Sequence, residues 1–156
     1  MMVVYCIDTS ALIAAWQERY PLENFPRVWE RFDGLIAEER LVAPVEVLRE
    51  TAKRSDELHA WLKERDQMFC ELEEPIQIEA AQVLASYPRL VGERKLRTSA
   101  DPFVIALARV DGLQIVTDEK PTGTLRRPNI PDVCTDLGIT TMDVLQLIRA
   151  EKWVVG

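Results

Sequence analysis

Near the start of the chain an apolar run, Val3 to Ile7, stops abruptly at Asp8 and gives way to Thr9-Ser10, then to Ala11-Leu12-Ile13. That change of pattern predicts a short buried strand, a tight turn and a helix start, with Asp8 at the carboxyl end of the strand. Ser10 to Gln17 reads as a short helix. Asn24 can cap a helix from Phe25 to Arg40, because Val28, Trp29, Phe32, Leu35 and Ile36 recur at helical spacing. Leu41-Val42-Ala43 reads as a second strand closed by Pro44, which opens a helix from Val45 to Lys53. Ser55 caps a helix predicted over Asp56 to Phe69, and Pro75 opens another over Ile76 to Tyr87.

After Pro88 the periodicity lapses until Ser99, which can cap a helix entered through Asp101 and Pro102. Phe103 to Ala108 is apolar on nearly every side, as in a helix sandwiched against a sheet. Gly112 ends it. Leu113 to Thr117 is a strand that runs into Asp118 and Glu119. A loop from Lys120 to Asn129 leads to a short turn or helix at Ile130 to Cys134. Ile139-Thr140 reads as a brief strand, Met142 to Ala150 as a helix, and Trp153 to Val155 as a possible last edge strand. Strands alternating with helices imply a mostly parallel sheet in an α/β fold. No internal repeat or linker divides residues 1–156, so one domain is expected.

Composition adds little to this picture until charge is considered. With 47% apolar residues the chain has material for a sizeable core. No apolar run is long enough to span a bilayer, and the opening residues do not form a secretion signal, so the expectation is a cytoplasmic protein without membrane attachment. The three cysteines, Cys6, Cys70 and Cys134, are far apart, and His59 is the only histidine. A zinc site or a Ser/His/Asp set is therefore poorly supported, and free thiols are expected. The formal net charge of -7 argues against non-specific nucleic-acid binding by the surface as a whole. Two loops run the other way: Arg89, Arg94, Lys95 and Arg97 in one, and Lys120, Arg126 and Arg127 in the other. They could hold a nucleic-acid backbone, or simply keep the loops soluble.

Two strands end in acids, and two helices carry acids in or near their early turns. In a parallel sheet, strand ends and the helix starts that follow them share one edge. Asp8, Asp101 and Glu119 fit that rim, while Glu50 lies about a turn and a half into its helix. Asp8, Thr9 or Ser10 could equally be a plain helix cap. Gathered carboxylates repel one another, and an oxygen-only donor set suits Mg²⁺ or Mn²⁺, which can activate water and steady charge on a phosphodiester.

The segments Ile7 to Ile13, Val47 to Glu50, Ser99 to Ala108 and Ile115 to Glu119 resemble, in order and spacing, the four acidic motifs of the PIN-domain nucleases. They are most similar to the small single-domain, VapC-like members, and the segments Glu119-Lys120-Pro121 and Ile130 to Cys134 look like an uncharacterised PIN-like subgroup. The resemblance implies a three-layer α/β/α fold and a metal-dependent endoribonuclease, the toxin of a toxin–antitoxin pair. It places Asp8, Glu50, Asp101 and Glu119 on the four catalytic, metal-binding acids, with Asp118 or Asp132 in reserve. Successive strand residues face opposite ways, so only one of Asp118 and Glu119 is expected to reach the metal. Ser10 resembles the hydroxyl residue that orients the first aspartate. Arg94, Lys95, Arg97, Lys120, Arg126 and Arg127 are the RNA-binding candidates. An antitoxin protein could insert Arg or Lys among the acids, and apolar faces between Phe25 and Phe69 could form a homodimer. The rival reading is a catalytically weak or inactive PIN-like module that binds RNA or protein. It draws on the glutamate at position 119, where the family more usually has aspartate. A phosphotransferase using Asp8 as nucleophile is more distant, because Ser10 stands where a second aspartate would be wanted.

Overall fold

The first strand, β1 (Tyr5–Ile7), lies at the centre of a parallel sheet in the computed structural model, which describes residues 2–90 and 99–156. On one side of it pair β2 (Leu41–Pro44) and then β3 (Phe69–Cys70); on the other pair β4 (Gln114–Val116) and β5 (Thr141–Met142). The order β3-β2-β1-β4-β5 makes the chain build outward from β1, then cross back to its other flank. Between β1 and β4 lies the point where the direction of winding reverses. Ligands of open α/β sheets bind beyond the carboxyl ends of the strands at such a point.

Tyr5, Cys6 and Ile7 are all buried, although neighbouring strand residues face opposite ways. Both faces of the sheet must therefore be covered. On one face the Cys6 thiol lies 3.8 Å from the Val104 carbonyl of α6 (Asp101–Asp111), against whose outer side α5 (Glu74–Ser86) packs. On the other, the Tyr5 hydroxyl donates to Glu151 at 2.5 Å, just past the last helix, Val144–Ala150. The result is the predicted three-layer α/β/α arrangement. Ala100, Ala106 and Ala108 are buried, so α6 is the sandwiched helix its pattern implies. Among the described residues no helix is long and apolar enough to cross a membrane.

Several boundaries differ from the sequence reading. The helix over α1 (Thr9–Ala14) continues as a π-helical turn, Ala15–Arg19. Phe25, not Asn24, precedes α2 (Pro26–Ala37), because Pro26 sets the first helical turn. The helix predicted over Asp56 to Phe69 stops at Lys63 as α4 (Asp56–Lys63). A 3₁₀ turn at Asp66–Met68 then feeds β3, while Arg65 pairs with Asp33 at 2.5 Å and stacks on Trp61 at 3.6 Å. Asp143 caps the last helix by accepting from Gln146 N, so Thr141 and Met142 are released to form β5. Trp153 to Val155 forms no strand; the Trp153 ring instead packs near Phe32. The large apolar residues of α2 and α4 are buried, or in the case of Trp61 half-buried, within the chain, where Trp29 meets both Trp16 and Trp61 edge to face. All three cysteines are free thiols.

Candidate functional site: an acidic cleft at the reversal point

Register explains why Asp8 and Thr117 meet. Ile7 pairs with Val116, so the next residue on each strand stands side by side as the two chains leave the sheet. The Asp8 N–H still donates to the Val116 carbonyl at 3.0 Å. Its carboxylate is 1% exposed and caps α1 by accepting from Ala11 N at 2.8 Å. The Thr117 hydroxyl donates to Oδ2 at 2.5 Å, and the Ser10 hydroxyl lies 2.8 and 2.9 Å from the two oxygens. Each hydroxyl in turn accepts a backbone N–H from beyond β4: Ser10 from Asp118 at 3.0 Å, and Thr117 from Glu119 at 3.1 Å. Asp8 is thus the cap of α1, and the Ser10 and Thr117 hydroxyls fix the direction of its carboxylate.

Burial pushes the Asp8 carboxyl up to about 7. Its hydrogen bonds from Thr117 and Ala11 oppose that rise, the negative charge of Glu119 adds to it, and Ser10 opposes it again. The two residues after Asp8, Thr9 and Ser10, line a cleft of about 400 Å³ together with Glu50, Asp101, Asp118, Glu119, Ser99, Glu18, Lys53 and Arg54; buried Asp8 is not itself part of the lining. Glu50 sits on α3 (Val45–Ala52), whose Val47 and Thr51 are buried, and accepts the Thr9 hydroxyl at 2.6 Å. Asp101 opens α6, its N–H bonded to the Ser99 hydroxyl at 3.2 Å. Glu119 Oε1 accepts from Ile130 N at 3.4 Å. Asp118 pairs with Arg19 at 3.1 Å, an ion pair made possible by the π-helical turn.

Both Asp118 and Glu119 line the cleft. Strand β4 ends at Val116, so strand alternation no longer governs the two acids. The Glu119 charge reaches Asp8, and Arg19 engages Asp118. Asp132 is a different matter. Its carboxylate accepts from the backbone N–H groups of Thr122, Gly123 and Asn129. Burial opposes its ionisation, but these bonds outweigh it and lower its pKa. Asp132 thus ties the loop together and is not among the residues that line the cleft.

Thr9, Thr117, Glu18, Arg19, Lys53 and Arg54 escaped the sequence reading. For Thr117 a signal existed: a hydroxyl residue one step before the paired acids, opposite Asp8. Lys120 does not line the cleft, and Arg126 and Arg127 line a separate basin. Arg94, Lys95 and Arg97 lie outside the described residues. His59 approaches the Leu48 carbonyl and the Thr51 hydroxyl, away from the cleft lining. Among the described residues no three His, Cys, Asp or Glu side chains are grouped closely enough to hold one ion. The donor set itself is all oxygen, which suits a hard divalent cation.

A family model described as a domain of unknown function, DUF4411, matches residues 5–155. The chain belongs to that family. No curated protein matches it. A solved structure similar to this DUF4411 member is the crystal structure of PAE2754 from Pyrobaculum aerophilum, at 20% identity and a TM-score of 0.43, covering 88% of this chain and 98% of the other. The DUF4411 match spans β1 through the segment after the last helix, and so includes every residue of the acidic cleft.

Proposed function

We propose that this DUF4411 member is a Mg²⁺- or Mn²⁺-dependent endoribonuclease that works at the acidic cleft. The observation that carries the reading is the buried Asp8 carboxylate, oriented by two hydroxyls and a helix N–H and within reach of the charge of Glu119, which lines the acidic cleft with Glu50 and Asp101. Placing a carboxylate in a buried position that raises its pKa costs stability, and such perturbed acids cluster at functional sites. The motif resemblance to PIN-domain nucleases points to the same four positions.

The acids stand too far apart to hold an ion as they are, so Asp8, Asp101 and Glu119 would have to close on the cation, with Glu50 as a further ligand or as the residue that orients water. When bound, the cation supplies Lewis-acid stabilisation of a phosphodiester oxygen and acidifies water. Ser10 and Thr117 fix the direction of the Asp8 oxygens. Lys53 and Arg54, on the cleft wall, can receive the phosphate backbone. Hydrolysis by water leaves a 5′-phosphate and a 3′-hydroxyl. A cyclic phosphate would require a histidine-type acid–base pair, and the single histidine lies elsewhere.

The Arg19–Asp118 pair favours a second reading. A cation of the protein already pairs with one cleft acid, Asp118, as the Arg or Lys of an antitoxin-like partner could with others, and the fold could bind without cutting. Incubation of single-stranded RNA with Mn²⁺, with chelator, and with Asp8→Asn separates the two. Cleavage that yields 5′-phosphate ends and vanishes in both controls supports the nuclease. Binding without cleavage under all three conditions supports the module.

A further inference from the structure

We infer that the basin lined by Arg89, Arg126 and Arg127 is a second site, which takes the phosphate backbone of single-stranded RNA apart from the acidic cleft. The basin measures about 610 Å³ and is completed by Pro88, Thr124 and Leu125. Its residues are not shared with the cleft. Among the described residues none of the three makes an ion pair, which is also true of Arg27, Arg31, Arg54 and Arg149. What sets Arg89, Arg126 and Arg127 apart is that they line one basin together, with no described carboxylate in its lining, which makes it suited to an anion.

The loop that carries two of them is built in advance. Asp132 accepts from the backbone N–H groups of Thr122, Gly123 and Asn129, and the Asn129 side chain donates to the Lys120 carbonyl. The Thr124 hydroxyl accepts from Arg126 N at 3.1 Å. A loop held at this many points loses little freedom when it binds. Leu125 is 48% exposed among the arginines, and Pro88 adds a second apolar surface. Guanidinium planes and apolar faces next to phosphate contacts suit unstacked bases on a single strand better than an acidic peptide. The site does not depend on cleavage.

Anisotropy of a 5′-fluorescein oligouridylate, measured in EDTA across a KCl series, tests this directly. The proteins are wild type, R126Q/R127Q, R89Q and R31Q, with circular dichroism to confirm folding; Arg31 is an exposed arginine of α2 that lines neither the basin nor the cleft. Wild type and R31Q should bind alike. The double variant should bind about tenfold more weakly, and its salt slope should flatten by about 1.4, because each lost single-strand phosphate contact removes about 0.7. R89Q should weaken binding in the same direction. Unchanged affinity and slope in the double variant, or no wild-type binding at low salt, would overturn the assignment. So would competition by polyglutamate as effective as that by unlabelled oligouridylate, which would give the basin to an acidic protein segment. Cleavage is measured separately with Mn²⁺, so loss of the nuclease reading leaves this result standing.

Discussion

The hydroxyl of Thr117 donates to Asp8 Oδ2 at 2.5 Å, joining the ends of two neighbouring strands across 109 residues of sequence. Register alone brings the two residues together, since Ile7 and Val116 are paired. Thr117→Val keeps the shape and removes the donor. Leaving a buried carboxylate short of one bond costs about 1–3 kcal/mol. The variant should melt earlier at pH 8, and its Asp8 should ionise at higher pH than in wild type. Urea unfolding and the pH dependence of Mn²⁺ binding check both parts.

Asp8 also sets a pH dependence of stability. Its folded pKa, about 7, lies above the ordinary 3.8. Between those values the folded state keeps a proton that the unfolded state gives up, so metal-free stability should fall as pH rises from about 4 to about 7. Asp8→Asn should remove much of that slope and melt later than wild type at pH 8, while losing metal binding. Thermal melts in EDTA from pH 4 to 8 decide this. An Asp8→Asn protein that melts earlier at every pH would contradict it.

Asp132 should behave in the opposite sense. Its pKa is lowered, so its contribution to stability is present above the unfolded value and is lost as pH falls through the folded one, in acid. Asp132→Ala should cost about 1–2 kcal/mol as a lost cap. It should also accelerate hydrogen exchange at Thr122, Gly123 and Asn129. Exchange unchanged at those amides would show that the loop is held by other means.

Arg19→Ala should barely change stability, because the pair with Asp118 is solvent-exposed and such pairs contribute less than about 1 kcal/mol. It should, however, free Asp118 and strengthen Mn²⁺ binding severalfold. Calorimetric titration of the variant against wild type reads the effect. Weaker binding would mean that Arg19 organises the cleft and does not compete within it.

The legible parts of this molecule were those with a local pattern. The Val3–Ile7 run broken by Asp8 announced strand, turn and helix, and the apolar stretch from Phe103 to Ala108 announced a helix between layers. Gly112, with a φ of 70°, marked the helix end that an αL residue supplies. Strand β3, by contrast, has two residues and no alternation to read. The π-helical turn at Ala15–Arg19 leaves no signature in residue spacing, so the Arg19–Asp118 pair was invisible as well. That Asp118 and Glu119 both line the cleft is not legible from strand alternation, because β4 ends at Val116 before either of them. Thr117 is instructive for another reason: its role depends on strand order, which places β4 beside β1. The role of Asp132 depends on the path of a loop, and charge and spacing do not encode that path.

We propose that the acids around Asp8 take a divalent cation, and titration of Mn²⁺ followed by electron paramagnetic resonance, with Asp8→Asn and Glu119→Ala alongside, reads that binding without any RNA. Binding should saturate in the micromolar to millimolar range, be lost in Asp8→Asn and be weakened in Glu119→Ala. Saturable binding that is unchanged in Asp8→Asn, or none in the wild type, would contradict the proposal.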